Sequence, residues 1–274
     1  IDNGVNCIDT APTYGGMRGN SETITGKAIN GIRDKVIIAT KFGTDPATSR
    51  SAIKGGGTKQ YIMGAAEDSL ERLDTDYIDL YQMHFPDTET PIEETLRALE
   101  DLITSGKVRF IGASNFASWQ ISESGWTSLT NELNQFVSLQ TRYSILTRDM
   151  EKEILPACEK HQVSLLPYFP LESGLLTGKV TRDKEPPKGS RLALWKGAFT
   201  SEEKFNIIDK LNDYGAEIGR NILEMSLAWT AHRSQVGSVL VGATSPEQMI
   251  QNIDAISWDI SEEHIKAIDE IVLG

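Results

Sequence analysis

The sequence predicts an α/β protein and, within that class, a (β/α)8 TIM barrel. Short apolar runs rich in Val, Ile and Leu recur along the 274 residues, and helical patterns separate them. Each run is almost continuously apolar, as parallel strands buried on both faces are. The pattern GxGxxG, which would follow the first strand of an open dinucleotide-binding sheet, does not occur. These observations favour a single barrel domain over residues 1–274.

Seven strands can be assigned, and a barrel needs eight. Thr58 and Pro91 each precede a run of apolar residues at helical spacing, so we expect helices to begin there. Gly4 has the position of a glycine that ends a helix before the first assigned strand. We therefore expect a first strand and most of a first helix upstream of Ile1, both lacking in this chain. The assigned strands cover residues 5–8, 36–40, 78–83, 108–113, 136–139, 164–168 and 239–241.

Composition and charge restrict the partners. The net charge of −12 opposes nucleic acid and anionic membranes, both of which attract clustered Lys and Arg. Two cysteines without a CxxC motif fit a reducing compartment. No apolar stretch approaches the roughly 18–20 residues that span a bilayer. We expect a soluble, cytoplasmic monomer or weak homo-oligomer that binds a small molecule.

Polar or ionisable side chains stand at the ends of successive predicted strands. Taken singly, each has an ordinary explanation, because an Asp after a strand is usually a turn cap and a lone His is usually structural. In a barrel, however, the carboxyl ends of all strands meet at one mouth. We therefore interpret the set as a candidate active site. Its members are Asp9, Tyr14, Lys41, His84, Ser114, Asn115, Gln140 and Tyr168.

At these positions the chain resembles the aldo-keto reductases. The resemblance runs from the first residue to the last and implies a (β/α)8 barrel that binds a nicotinamide cofactor without GxGxxG. It implies an NADP-dependent oxidoreductase that reduces an aldehyde or ketone. The motifs that carry the resemblance are residues 8–11 with Tyr14, Gly15, Ser21 and Glu22, then residues 40–43, 76–81 with His84, 112–115, Gln140, 170–171 with 174–176, Gly242, 246–248 and Asn252.

The resemblance implies a role for each of four catalytic residues. Tyr14 would give a proton to the carbonyl oxygen, and the Lys41 ammonium would stabilise the phenolate that remains. Asp9 would keep Lys41 charged and oriented. His84 would donate a hydrogen bond to the substrate oxygen.

The resemblance also implies the cofactor contacts. Ser114, Asn115 and Gln140 would hold the nicotinamide carboxamide, and Tyr168 would stack on the ring. Residues 242–248 contain no Arg or Lys for a 2′-phosphate, so we expect NADPH with only modest discrimination against NADH. The remaining residues expected at the cofactor are Pro170, Leu171, Gly174, Leu175, Lys179, Gly242, Thr244, Ser245, Gln248 and Asn252.

Two other functions compete with carbonyl reduction. One is a nucleotide-sensing regulatory subunit of the same fold, as in the channel β subunits. The other is a metal-dependent hydrolase, which the four histidines do not favour because neither HxH nor HExxH occurs. Residues 178–200 lack a clear period and are expected to form a long binding loop. Phe85, Trp119 and residues 191–199 are candidates for the substrate pocket.

Overall fold

A computed structural model describes residues 1–182, 186, 192–193 and 199–274. Six strands follow one another in chain order within one sheet, and every pairing from the first strand to the fifth is parallel. The strands are β1 (Cys7–Asp9), β2 (Ile37–Phe42), β3 (Ile78–Met83), β4 (Val108–Ser114), β5 (Ser138–Arg142) and β6 (Ser164–Tyr168).

Helices alternate with these strands and continue after them. Thr58 and Pro91 are the N-cap residues of the second and third helices, which confirms both predicted helix starts. The third helix buries Thr95, Leu96, Ala98, Leu99 and Leu102, the i, i+3, i+4 face that an amphipathic helix turns to a core. Among the described residues the helices are α1 (Asn20–Ile29), α2 (Lys59–Leu73), α3 (Ile92–Thr104), α4 (Ser118–Asn131), α5 (Ile154–His161), α6 (Glu202–Ile218), α7 (Ile222–Ala231), α8 (Pro246–Ile256) and α9 (Glu262–Leu273).

Six of the seven predicted strands are confirmed, and the seventh is wrong. Residues 239–241 form no strand, and Leu240 makes only an isolated parallel bridge with Tyr168. Of the three residues only Leu240 pairs with a neighbouring strand, so no ladder of consecutive pairs forms. The closed eight-stranded barrel, its single domain and the missing upstream strand stay predictions. Most of the loop predicted over residues 178–200 lies outside the described residues.

The chain divides into two compact units. The first comprises Ile1–Thr141 and Lys152–Ser164, and the second comprises Arg142–Glu151 and Leu165–Gly274. No helix among the described residues is long and apolar enough to cross a membrane.

Within the second unit, Asp269 of α9 is the common acceptor of three side chains. Arg148 and Arg233 each place a guanidinium nitrogen 2.7 Å from Oδ1, and the indole nitrogen of Trp229 lies 2.8 Å from the same oxygen. Trp229 belongs to α7 and is fully buried. These hydrogen bonds hold α9 against the core of the second unit.

Candidate active site

Lys41 is the buried centre of the site. It belongs to β2, in which residues 38–42 are all buried, and it has no exposed surface. Its Nζ donates to Asp9 Oδ2 at 2.6 Å and to the Thr10 carbonyl at 3.0 Å, and it lies 4.7 Å from the centre of the Tyr14 ring. Burial by itself lowers the pKa of Lys41, but the Asp9 carboxylate and the Tyr14 phenol raise it above its ordinary value of 10.5. Lys41 is therefore an ammonium at neutral pH.

His84 follows β3 and lies next to Tyr14. The two rings meet edge to face with their centres 5.8 Å apart. Burial, and secondarily the charge of Lys41, lowers the pKa of His84 from 6.5 to about 3. The imidazole is therefore neutral at physiological pH. Its Nδ1 lies 2.6 Å from the Thr44 hydroxyl, and the backbone carbonyl of His84 accepts from Asn115 Nδ2 at 2.9 Å.

Two buried glutamines complete the surroundings of Asp9. Gln140 Nε2 donates to Asp9 Oδ1 at 2.9 Å, and Gln82 Nε2 donates to the same oxygen at 3.3 Å. With Lys41 on the other oxygen, both Asp9 oxygens accept hydrogen bonds. The sequence analysis missed Gln82 and Thr44. The signal for Gln82 was a polar residue inside an otherwise apolar strand, which has to find a partner in the core.

The donor set at the ends of β4 and β5 fits the carboxamide of a nicotinamide. Gln140 turns Nε2 toward Asp9, so its Oε1 is left to accept, and among the described residues nothing is hydrogen-bonded to that oxygen. Ser114 Oγ accepts from Asn115 Nδ2 at 3.1 Å, which leaves its proton to donate. An amide ligand needs one acceptor and one donor, and this pair supplies them.

Comparison with known proteins agrees with this geometry. A model of the Aldo/keto reductase family matches residues 1–273. The chain belongs to the aldo-keto reductase family. The resemblance found in the sequence is thereby confirmed, and members of this family use nicotinamide cofactors.

Proteins similar in sequence to this aldo-keto reductase are named for different functions. The NADH-specific methylglyoxal reductase of Escherichia coli K12 is 36% identical over 94% of this chain and 81% of its own length. The aldo-keto reductase YhdN of Bacillus subtilis is 33% identical over 99% of this chain and 81% of its own. A putative voltage-gated potassium channel subunit beta of Schizosaccharomyces pombe is 32% identical, again over 99% and 81%.

The other predicted cofactor residues of this aldo-keto reductase belong to the second unit. Tyr168 ends β6, and its ring meets that of Phe169 edge to face at 5.2 Å. Pro170, Leu175 and Asn252 are buried, whereas Lys179, Gly242 and Thr244 are exposed.

The segment after Tyr168 turns through several left-handed residues, among them Glu172 (φ 47°), Ser173 (φ 58°) and Gly174 (φ 107°). Glu172 has no exposed surface and was not predicted as a site residue. Its Oε2 accepts from Arg142 at 2.6 Å and from Lys204 at 2.8 Å. Its Oε1 accepts from the hydroxyls of Ser144 and Thr147. Burial alone would raise the pKa of Glu172, but Lys204, Arg142 and Ser144 together hold it below the ordinary value of 4.5.

At the start of α8, side chains of the same segment accept hydrogen bonds from nearby backbone amides. Ser245 is the N-cap and accepts from the Gln248 amide, while Gln248 Oε1 accepts from both the amide and the hydroxyl of Thr244 at 3.0 Å. The Ser245 hydroxyl lowers the pKa of Glu247 below its ordinary 4.5, so an ionised carboxylate stands in the first turn.

The predicted substrate-pocket residues are only partly described. Phe85 stacks on the His84 ring with centres 4.9 Å apart. Trp119 is 60% exposed and, with Met83, Phe116 and residues 86–92, lines a cavity beyond the end of β3. In the segment 191–199, residues 191 and 194–198 lie outside the described residues. Among the described residues no group of three or more His, Cys, Asp or Glu could hold a metal ion.

Proposed function

We propose that this aldo-keto reductase reduces an aldehyde or ketone to an alcohol, with a nicotinamide as the hydride donor and Tyr14 as the proton donor. The observation that supports this proposal is the contact of Tyr14 with both Lys41 and His84. A bound nicotinamide cofactor would supply the hydride. Tyr14 would give its proton to the carbonyl oxygen as that hydride reaches the carbonyl carbon. The products would be the alcohol, the oxidised nicotinamide and a Tyr14 phenolate, which takes up a proton from solvent.

The surrounding charges favour that proton transfer. The Lys41 ammonium stabilises the phenolate, and the carboxylate of Asp9 keeps Lys41 charged although it is fully buried. Neutral His84 is suited to donate a hydrogen bond to the substrate oxygen without itself giving up a proton. Ser114 and Gln140 would hold the carboxamide, so that the ring presents one face to the carbonyl.

For the cofactor we propose NADPH with only modest discrimination against NADH. The family resemblance favours NADPH. Residues 242–248, however, offer a 2′-phosphate no cation and one carboxylate, that of Glu247. The relative from Escherichia coli is named as NADH-specific, and this agrees with weak discrimination. The two free cysteines fit the reducing, intracellular setting that we also propose.

A regulatory role is the second candidate, because two relatives are named as potassium channel β subunits. A protein of that kind would bind NADPH, seen as quenching of tryptophan fluorescence, and would turn over no carbonyl compound. Turnover of any member of a panel of aldehydes and ketones excludes it.

Tyr14→Phe tests the proposed chemistry. We expect carbonyl reduction to fall by at least about 100-fold, because the phenolic proton is lost, while the cofactor Kd stays within about twofold. Steady-state kinetics and fluorescence titration measure the two quantities. Tyr214→Phe, which removes a hydroxyl bonded to His264 in the second unit, is the matched control and should leave both unchanged. A Tyr14→Phe enzyme with full activity would disprove the role given to Tyr14.

A further inference from the structure

The Thr44 hydroxyl and the His84 imidazole form an isolated buried pair. Thr44 is 7% exposed and His84 is 6% exposed. Thr44 Oγ1 lies 2.6 Å from Nδ1 of the ring, and no other side-chain hydrogen bond of either residue is found among the described residues. Thr44 directly follows Gly43, whose φ is 81°, and the bridge of Thr44 to Ala52 holds its backbone in place.

The direction of this hydrogen bond follows from the cost of a buried unpaired donor. If the ring donated from Nδ1, the Thr44 hydroxyl proton would have no acceptor among the described residues. If the hydroxyl donates to Nδ1, the remaining donor is instead the Nε2–H group of the ring. Each arrangement leaves one donor, but only a donor on Nε2 has an acceptor, the oxygen of the proposed substrate. A buried donor that never finds a partner is costly, so we take the hydroxyl as the donor.

A ring that accepts at Nδ1 carries its single proton on Nε2, because a neutral imidazole has one donor and one acceptor nitrogen. The buried position and the neighbouring Lys41 ammonium both oppose a second proton on the ring. The Nε2–H group is then the ring's one hydrogen-bond donor, and among the described residues nothing is hydrogen-bonded to it.

We propose that Thr44 is a positioning residue, whose hydroxyl holds His84 as the Nε2–H tautomer so that Nε2 can donate to the substrate oxygen. The use of that donor rests on the proposed carbonyl reduction. The NMR measurement of the tautomer needs no substrate, so the tautomer and the proposed function can fail separately.

Nitrogen-15 NMR of protein labelled at histidine tests the tautomer directly. Only four histidines contribute, and the signals that vanish in His84→Gln identify those of His84. In the natural protein we expect His84 to have a protonated Nε2 and an unprotonated Nδ1. In Thr44→Val, which keeps the shape and removes the hydroxyl, we expect a substantial Nδ1–H population. Thr44→Ser should restore the natural signals.

Kinetics provide the second measurement. Thr44→Val should lower kcat for carbonyl reduction about tenfold, and Thr44→Ser should recover most of it. The cofactor Kd should stay within about twofold in both variants, which also shows that they are folded. An Nδ1–H tautomer in the natural protein, or an unchanged tautomer in Thr44→Val, overturns the proposal. If NMR gives the expected tautomers but no carbonyl compound is reduced, the positioning of His84 stands and the proposed function fails.

Discussion

At the scale of single residues, Glu172 shows how neighbouring groups stabilise a charged side chain in the interior. Two cations and two hydroxyls satisfy its oxygens, and Arg142 and Lys204 are themselves 31% and 22% exposed. Partial exposure weakens each attraction through solvent screening. The carboxylate nonetheless fixes the left-handed segment that contains Gly174, one of the residues proposed to contact the cofactor.

Glu172→Gln should lower the free energy of unfolding by about 1–3 kcal/mol at pH 7, because Arg142 and Lys204 lose their shared counter-charge. The pKa of Glu172 is depressed in the folded protein, so its stabilisation is complete above the ordinary pKa of 4.5 and is lost as the pH falls through the lower folded value. Urea unfolding should thus show a smaller difference at pH 3 than at pH 7. The exposed Glu202→Gln is the control, and an equal loss in both variants would contradict the prediction.

Which residues the sequence could identify depends on what makes them recognisable. Lys41 and His84 stand in motifs at strand ends, so their type and position were enough to propose them as site residues. Thr44, Gln82 and Glu172 are ordinary polar residues whose roles arise only from partners distant along the chain, such as His84, Asp9 and Lys204. A pattern of residues along one chain does not specify such pairings.

At the scale of helices and strands, the sequence predicted an element correctly where the residues that determine it lie close together in the chain. Thr58 and Pro91 begin helices because capping and the fixed φ of proline act within one turn. The strand predicted at residues 239–241 does not form, because a strand needs a series of hydrogen bonds to a neighbouring strand. Val236 and Leu240 each make only an isolated bridge.

The first turn of α8 should set the cofactor preference. In Glu247→Gln we expect NADPH to bind about two- to fivefold more tightly, since an exposed like charge near the 2′-phosphate is removed. The NADH Kd should not change. Glu263→Gln, at the same helical position in α9, is the matched control. Fluorescence titration with both nucleotides measures the two Kd values. A parallel change of the NADH and NADPH Kd would refute the assignment of the 2′-phosphate to this turn.

At the scale of the whole molecule, His84 links stability to pH. Its folded pKa of about 3 lies below the ordinary 6.5, so the unfolded chain binds more protons between these values. The free energy of unfolding should therefore fall as the pH drops from 6.5 toward 3, by up to about 1.4 kcal/mol per pKa unit.

Urea unfolding at pH 7, 5.5 and 4.5 measures this dependence. His84→Asn should flatten the profile, because the group that titrates is gone. His232→Asn removes a partly exposed histidine and is the control, in which the dependence due to His84 remains. Equal slopes for the natural protein and His84→Asn would show that other groups dominate.

Asp269 has a consequence for how the chain opens. The ends of most chains fray first, because few contacts hold them. Here the detachment of α9 would leave two guanidinium groups and a buried indole N–H without their common acceptor. The last turns of α9 should therefore belong to the same cooperative unit as Trp229, and α9 should detach only when that part of the core unfolds.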